Sequence, residues 1–252
     1  MVRVGTNSDP PLACPEGGRT VGVEPDPVEA LGERLGVTFQ FEHAEFADLL
    51  TGLRANRFDA VMSGIHDTPG RRRGPGDDGT RVGPGVDFVR YLTAGTSTLV
   101  RTGGGRLVAG LSDLCGRKVA VQADTTVEAA ARQQARACKE SGAGELKVDP
   151  NDSHKGVLDA LESGRADAAL MDYPSAAHSA REAQGDAQGD GNFEVVGPQT
   201  DRKPYGIAFS KDADKLREAV AAALKSVFGS GDYAKILKKW HISKGALRLS
   251  GQ

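Results

Sequence analysis

The chain has 252 residues, of which 38% are hydrophobic and 26% are charged, and its formal net charge is −2. This length allows one large domain or two smaller ones. Acidic and basic residues are interspersed and only 5% of the residues are aromatic, so the composition argues against a nucleic-acid partner. The longest apolar runs fall far short of the roughly 20 residues that a membrane-spanning helix needs.

Strand and helix patterns alternate along the chain from its first residues onward. Strands are predicted at 2–6, 21–23, 37–41, 58–62, 86–100, 119–121 and 166–171. Helices are predicted at 26–35, from about 46, from 125, around 157–161, and at 175–183, 212–228 and 232–240. This alternation indicates an α/β fold with largely parallel sheets. Because residues 1–5 form the first strand, no secretory signal is visible, and the chain is either intracellular or has lost a targeting segment.

Helix-start and helix-stop residues mark several boundaries. Asp26 is predicted as an N-cap with Pro27 in the first turn, and Gly36 supplies the stop. Thr125 with Glu128 forms the pattern of a capping box.

Two segments lack apolar periodicity and are predicted as loops, residues 70–85 and 184–192. The first contains three consecutive arginines, a pattern that can indicate a phosphate or nucleic-acid site. The adjacent pair Asp77 and Asp78 favours a solvated surface loop instead.

An internal similarity predicts two lobes. Residues 53–62 and 161–170 share a helix end, an Asn or Gly turn, an Arg, an Asp and an apolar strand, in the same order. Polar residues and glycine follow these strands at 63–66 and at Asp172. Open parallel sheets bind ligands outside the carboxyl ends of their strands. Two such edges, one from each lobe, predict a ligand cleft.

No catalytic or metal-binding motif accompanies this arrangement. The five histidines have no metal-ligand spacing, and the three cysteines contain no C-x-x-C, so we expect neither a metal nor a cofactor. The spacing of Cys115 and Cys138 is compatible with a disulfide or with two unrelated buried thiols, and Cys14 would remain free.

The charged and polar residues at the strand ends are suited to gripping a zwitterion. Thr125 and Thr126 open a helix whose free N–H groups favour a carboxylate. Arg71 could bind the same carboxylate bidentately. Asp172 could accept an ammonium group, or it could simply cap the helix that follows.

In several segments, found in order from Val4 to Trp240, the sequence resembles the solute-binding proteins of bacterial polar amino-acid ABC importers. These belong to extracellular solute-binding protein family 3 and have the type 2 periplasmic-binding fold. The segments that carry the resemblance are VGVE (21–24), SGI (63–65) through TPGR (68–71), VDF (86–88), GRKVAVQ (116–122), GRADA (164–168), PYGIA (204–208) and YAKILKKW (233–240).

The resemblance implies an α/β fold of two lobes, with lobe 1 at 1–93 and 198–252 and lobe 2 at 94–197. It implies a cleft between the lobes and a two-strand hinge, with crossings near 92–96 and 196–199. The implied function is to capture an amino acid or a close derivative for an ABC permease, as a monomer and without catalysis. The implied location is extracytoplasmic, as a secreted protein or a lipoprotein whose signal segment is absent from this chain.

Carried over by position, the resemblance assigns a role to each expected ligand-binding residue. Arg71 would clamp the ligand carboxylate with backbone groups of Thr125 and Thr126, and Asp172 would pair with the α-ammonium together with the Gly64 carbonyl. The remaining contacts would come from Phe46 stacking on the ligand, from Asn7 and from Gln122. It also implies that Cys115 and Cys138 form a disulfide, which suits an extracytoplasmic protein.

Three departures from the family pattern affect the site. Asp9 stands where many relatives have an aromatic residue, and His66 stands where a Thr often contacts the ligand. The long loop after Arg71 leaves Arg72 and Arg73 as alternative clamps, although register favours Arg71. The ligand side chain is therefore open, with a basic or hydrogen-bonding one compatible.

Two further functions belong to the same scaffold. One is a ligand-sensing domain of a signalling protein. The other is a cyclohexadienyl-dehydratase-like enzyme, for which Glu24, Glu45 or His66 would be the candidate general acid.

Overall fold

A computed structural model describes residues 1–74, 83–103, 108, 110–185 and 192–243. It divides into two compact units, one of Met1–Ala94 with Lys203–Gln252 and one of Gly95–Arg202. Both boundaries fall inside long strands.

The described strands, in chain order, are β1 (Val2–Thr6), β2 (Cys14–Glu16), β3 (Arg19–Val21), β4 (Phe39–His43), β5 (Ala60–Val61), β6 (Val86–Arg101), β7 (Lys118–Gln122), β8 (Lys147–Asn151), β9 (Ala168–Asp172) and β10 (Phe193–Ser210). The described α-helices are α1 (Pro25–Leu35), α2 (Phe46–Arg54), α3 (Pro69–Arg73), α4 (Thr126–Ser141), α5 (His154–Glu162), α6 (Tyr173–Gly185), α7 (Asp214–Gly229) and α8 (Asp232–Lys239), and a short 3₁₀ helix spans Leu111–Leu114.

The first unit is built on a sheet in which β1 is central. It pairs in parallel with β4 on one side and with β5 on the other, and β10 joins β5 antiparallel at Ala208 and Val61. The apolar faces of α1, α7 and α8 cover one side of this sheet and bury, among others, Leu31, Leu224 and Leu237. The expected parallel strands are present, and their carboxyl ends lie at one edge.

The start of α1 corrects a prediction. The helix begins at Pro25, with Glu24 in the N-cap position, and not with Asp26 as the cap. Asp26 is already in the helix, and its carboxylate accepts hydrogen bonds from Lys239 and from the Trp240 ring. The helix ends as expected at Gly36, whose φ of 65° suits glycine.

The loop expected over 70–85 is also corrected in part. Pro69–Arg73 form α3, because Pro69 occupies its first turn and the Thr68 hydroxyl caps the Arg71 N–H at 3.2 Å. Residues 75–82 lie outside the described residues, as do 186–191 of the second predicted loop.

The second unit has a sheet in the order β6, β9, β7, β8. Its central strand β7 pairs in parallel with β8 and β9, and β9 pairs antiparallel with β6. One core cluster of this unit includes Val157 and Leu161 of α5. Strand β8 was not predicted, because its sequence KVDPN has little apolar character and contains Pro150, which suits an edge strand.

A disulfide links Cys115 to Cys138 within the second unit, with a Cα–Cα distance of 5.5 Å. It joins the residue after the 3₁₀ helix to the last part of α4. This confirms the pairing that the family resemblance implied. Cys14 is a free cysteine and is half-buried.

Candidate functional site

In the first unit, the carboxyl ends of β1 and β5 place two short polar segments together. The Asn7 N–H donates to the Ser63 hydroxyl oxygen at 2.9 Å, and the Ser63 hydroxyl donates to Asn7 Oδ1. Both residues are buried. The Asn7 side chain is therefore held in place by the segment that also contains Gly64.

Gly64 adopts a backbone conformation that glycine favours, with φ of 60°. A side chain at this position would also meet the Leu12 side chain, at 2.8 Å from its Cδ1. The Gly64 N–H donates to Glu24 Oε1 at 2.7 Å. A buried carboxyl therefore holds the Ser63–Gly64 peptide in place.

His66, Arg71 and Phe46 form a second group in this unit. Arg71 Nη1 donates to the His66 carbonyl at 3.0 Å, and the Arg71 guanidinium carbon lies 5.9 Å from the centre of the Phe46 ring. The Arg71 residue is buried within its own unit and is only 6% exposed. The His66 ring lies 4.7 Å from the Tyr205 ring.

The neighbouring arginines have different surroundings. Arg72 donates to both oxygens of Asp67, at 2.5 and 2.8 Å, and Arg90 donates to the same carboxylate at 2.6 Å. Burial acts to raise the pKa of Asp67, but the hydrogen bonds from Arg72 and Arg90 outweigh it and hold the pKa below its ordinary value. Arg73 is exposed. Of the three arginines, only Arg71 is buried.

Asp9 lies in the turn between β1 and β2. Its N–H donates to the Ala13 carbonyl at 2.9 Å, and it forms an isolated bridge with that residue. Its charge is one of the causes that raise the pKa of Glu24. This side of the first unit therefore carries two acidic groups close to one another.

In the second unit, Gln122 and Asp172 are the last residues of β7 and β9. These strands are parallel neighbours, with Ala120 opposite Ala169, so both end at the same sheet edge. Asp172 is half-buried and lies opposite Thr96 of β6. It immediately precedes α6.

Thr125 and Thr126 begin the helix that follows β7. The Thr125 hydroxyl oxygen accepts the Glu128 N–H at 3.1 Å, and its hydroxyl donates to the Gln122 carbonyl at 2.8 Å. Thr126 is the first residue of α4 and is buried. Capping by Thr125 fixes this helix start against the end of β7, which orients the first N–H groups of the helix.

Sequence reasoning gave no role to several residues that support these groups. Tyr205 packs on His66, and Tyr91 donates a hydrogen bond to the Glu24 carboxyl. Tyr205 lies in the PYGIA segment, and a buried tyrosine within a strand is a signal for a polar partner. Its partner could not be found from the sequence, because it lies more than a hundred residues away.

Among the described residues, no group of three or more His, Cys, Asp or Glu side chains could hold a metal ion. In the same part of the chain, no helix has both the length and the apolar character that a membrane span requires.

Two α/β units with polar groups at the carboxyl ends of their strands define the class of two-lobe solute-binding proteins. The chain belongs to the bacterial extracellular solute-binding proteins, family 3, whose family model matches residues 2–243. This confirms the family and the fold class that the sequence implied.

Relatives with known names are similar over most of the chain. An arginine-binding protein, ArgT of Corynebacterium glutamicum, is 30% identical over 91% of this chain and 70% of its own length. A histidine-binding periplasmic protein of Salmonella typhimurium is 25% identical over 95% of this chain and 86% of its own length. These relatives are binding proteins by name.

Solved structures of amino-acid-binding proteins are also similar to this chain. An ancestral arginine-binding protein bound to arginine has a TM-score of 0.80 and 29% identity, over 95% of this chain and 97% of that one. The ancestral amino acid-binding protein AncCDT-1, a precursor of cyclohexadienyl dehydratase, has a TM-score of 0.78 and 31% identity, over 95% of this chain and 94% of that one.

Proposed function

We propose that this protein captures a cationic amino acid, with arginine as the first candidate, outside the cytoplasm and delivers it to the permease of an ABC importer. Family membership and the names of the relatives support amino-acid capture. The observation that carries the proposal is the buried Arg71, whose guanidinium lies against the Phe46 ring and donates to the His66 carbonyl. A buried, positioned guanidinium is suited to a carboxylate ligand.

The ligand carboxylate is assigned to Arg71 and to the first N–H groups of α4. Arg71 supplies charge and a planar pair of donors, which match the two carboxylate oxygens. Thr125 and Thr126 supply N–H groups at a helix N-terminus, where the helix dipole favours a negative charge. The capping hydrogen bonds of Thr125 keep these groups oriented without ligand.

The α-ammonium is assigned to the Asp172 carboxylate and the Gly64 carbonyl. Asp172 is the last residue of β9 and Gly64 follows β5, and both groups can accept hydrogen bonds. The remaining positions complete the ligand's surroundings, with Phe46 stacking on it and with Asn7 and Gln122 offering polar contacts.

The side chain of the ligand is assigned a positive charge. Asp9 replaces the aromatic residue that many relatives carry, and it lies near the buried Glu24 carboxyl. Acidic groups on this side of the unit favour a guanidinium or ammonium over a neutral side chain. His66, packed on Tyr205, offers a further hydrogen-bonding group.

We further propose that the protein binds its ligand without transforming it and acts as a monomer, either secreted or anchored as a lipoprotein. Deletion of the gene in the native host tests delivery to a permease, since uptake of labelled ligand should then fall. Unchanged uptake together with a lost transcriptional response would indicate a sensing role instead.

A screen of the twenty amino acids by thermal shift, followed by calorimetry, tests the binding proposal. We expect arginine to raise the melting temperature most, because a ligand at 100 times its Kd adds about 2.7 kcal/mol of apparent stability. Arg71→Ala should weaken binding by about 100-fold, which corresponds to the loss of a charge-assisted pair. Arg73→Ala is the matched control, because Arg73 is exposed on the same short helix. Equal effects of the two variants would refute the assigned clamp.

A second pair of variants tests the ammonium contact. Asp172→Asn should weaken binding of every amino acid that binds, because the α-ammonium is common to all. Asp159→Asn removes an exposed carboxylate in the same unit and should leave the Kd unchanged. No stabilisation by any amino acid would refute the proposed function itself.

A further inference from the structure

Glu24 places a carboxyl group in the interior of the first unit. The residue has no exposed surface. Its Oε1 accepts the Gly64 N–H at 2.7 Å and also accepts the Tyr91 hydroxyl. These partners lie 40 and 67 residues away along the chain, so the carboxyl joins three distant segments.

Both partners of Glu24 matter for the proposed site. Gly64 belongs to the segment after β5 that also holds Asn7 through Ser63. Tyr91 lies in β6, and its carbonyl accepts the Tyr233 hydroxyl of α8. Glu24 therefore connects the Gly64 peptide to the strand and helix behind it.

Among the described residues, the ionisable groups that interact electrostatically with this carboxyl are Asp9 from the β1–β2 turn, Tyr91 from β6 and Tyr233 from α8, and none of them is a cation. Burial raises the pKa of Glu24 to about 7, against the hydrogen bonds from Tyr91 and Gly64, which lower it. Burial also raises the pKa of Tyr91 well above its ordinary value, so Tyr91 stays a neutral donor. Near neutral pH, the carboxyl is therefore present in both protonation states.

The proton has a defined place on this carboxyl. Glu24 Oε1 is occupied by two donors, whereas Oε2 is buried and has no hydrogen-bond partner among the described residues. A proton on Oε2 leaves both Oε1 contacts in place. Ionisation can therefore change without rearranging the Gly64 segment.

We propose that Glu24 is a positioning residue for the bound amino acid, and that its negative charge, held against the Gly64 segment, attracts the positive charge of the ligand, so that ligand binding releases the Glu24 proton. The inference rests on the proposed function. The Gly64 N–H belongs to the Ser63–Gly64 peptide, so its hydrogen bond to the carboxylate fixes Gly64 in place and thereby orients the Gly64 carbonyl. The negative charge also attracts the cationic ligand directly.

Linkage makes this coupling reciprocal and measurable. If ionised Glu24 favours the ligand by a given factor, bound ligand favours ionised Glu24 by the same factor. If ionised Glu24 binds the ligand ten times more tightly than protonated Glu24, the affinity should rise by up to about tenfold as the pH rises from 5.5 to 8. Near pH 7, each binding event should then release a fraction of a proton.

The experiment is calorimetric titration of the full chain with L-arginine, from pH 5.5 to 8, in phosphate and in Tris. The difference in heat between these buffers counts the protons released. We expect release by the wild-type protein and none by Glu24→Gln, which keeps an acceptor oxygen for Gly64 and Tyr91 but cannot ionise. Tyr91→Phe, which removes one donor to the carboxylate, should move the release to higher pH. His66→Gln tests whether the neighbouring imidazole is the source of the proton; it is expected to change the Kd, because His66 is itself a proposed ligand contact, but to leave the number of protons released per bound ligand unchanged.

Three results would overturn the inference while leaving the proposed function intact. They are binding without proton release by the wild-type protein, unchanged release by Glu24→Gln, and loss of release only in His66→Gln. If Glu24→Gln fails to fold, an unshifted pH profile of Tyr91→Phe overturns the inference instead. Absence of binding heat for all twenty amino acids would refute the proposed function, and this inference with it.

Discussion

The disulfide between Cys115 and Cys138 allows a quantitative prediction. It closes a loop with a sequence separation of 23 residues, between the 3₁₀ helix and the final turns of α4. Cys138 is completely buried and belongs to a core cluster with Leu114 and Val119. The bond therefore ties a connecting segment to the core of the second unit.

The expected magnitude follows from loop closure. A crosslink over this separation lowers the entropy of the unfolded chain by an amount worth about 3 kcal/mol at 25 °C. Replacing both cysteines by alanine should cost somewhat more, because the buried Cys138 sulfur also leaves a small cavity. Reduction of the unaltered chain keeps both sulfur atoms and isolates the loop contribution.

Urea denaturation followed by far-UV circular dichroism measures the free energy of unfolding in each form. We expect a loss of about 3 kcal/mol on reduction and a slightly larger loss in the double variant. Cys14→Ala is the control: it removes the free cysteine and keeps the disulfide, so it should lose about 3 kcal/mol on reduction, as the wild type does. A loss below about 1 kcal/mol on reduction would refute the reasoning from loop length.

Two further predictions concern stability. The pKa of Glu24 is raised from 4.5 to about 7 by burial, so its stabilising contribution is complete below pH 4.5 and is lost as the pH rises through 7. In urea denaturation, the free energy of unfolding of Glu24→Gln should therefore gain about 3 kcal/mol relative to the wild type between pH 4.5 and 8. Glu29→Gln changes an exposed carboxyl of α1 and should follow the wild type. Parallel plots of unfolding free energy against pH for all three proteins would contradict the buried charge. Gly22→Ala should lose about 3 kcal/mol or more in the same assay, because at a φ of 145° the added side chain would overlap the Leu12 carbonyl. Gly36→Ala is the control and should lose about 1 kcal/mol, because Gly36 has a φ of 65° but no atom close to the added side chain. Equal losses would contradict the close backbone approach at Gly22.

Most secondary structure could be predicted because its signals are local. The capping residue Thr125 and the stop at Gly36 each act within one helical turn, and both lie where the sequence placed them. The prediction of the start of α1 failed because a distant partner decided the outcome. Glu24 and not Asp26 precedes α1, since Glu24 binds Gly64 and Tyr91 while Asp26 binds the end of α8.

Part of the candidate site could be predicted from local sequence signals, and part depends on distant contacts. Strand ends and the internal similarity of 53–62 with 161–170 were sufficient to select the Gly64 segment and Asp172, because the carboxyl ends of parallel strands share an edge, whereas Gln122 came from the family resemblance. These assignments remain proposals about ligand binding. The surroundings that bear on them, such as Tyr205 against His66, depend on long-range packing that no local pattern encodes.

The sequence by itself determined the family, the α/β alternation and the residue types at the strand ends, since these depend on periodicity and short motifs. Only the tertiary structure decided which arginine is buried. Arg72 of α3 and Arg90 of β6 both bind Asp67, whereas Arg71 is buried beside Phe46. Register favours Arg71 as the clamp, but three consecutive arginines carry no local signal that shows which one is buried. They become different only when the folded chain gives each one its own neighbours and its own access to water.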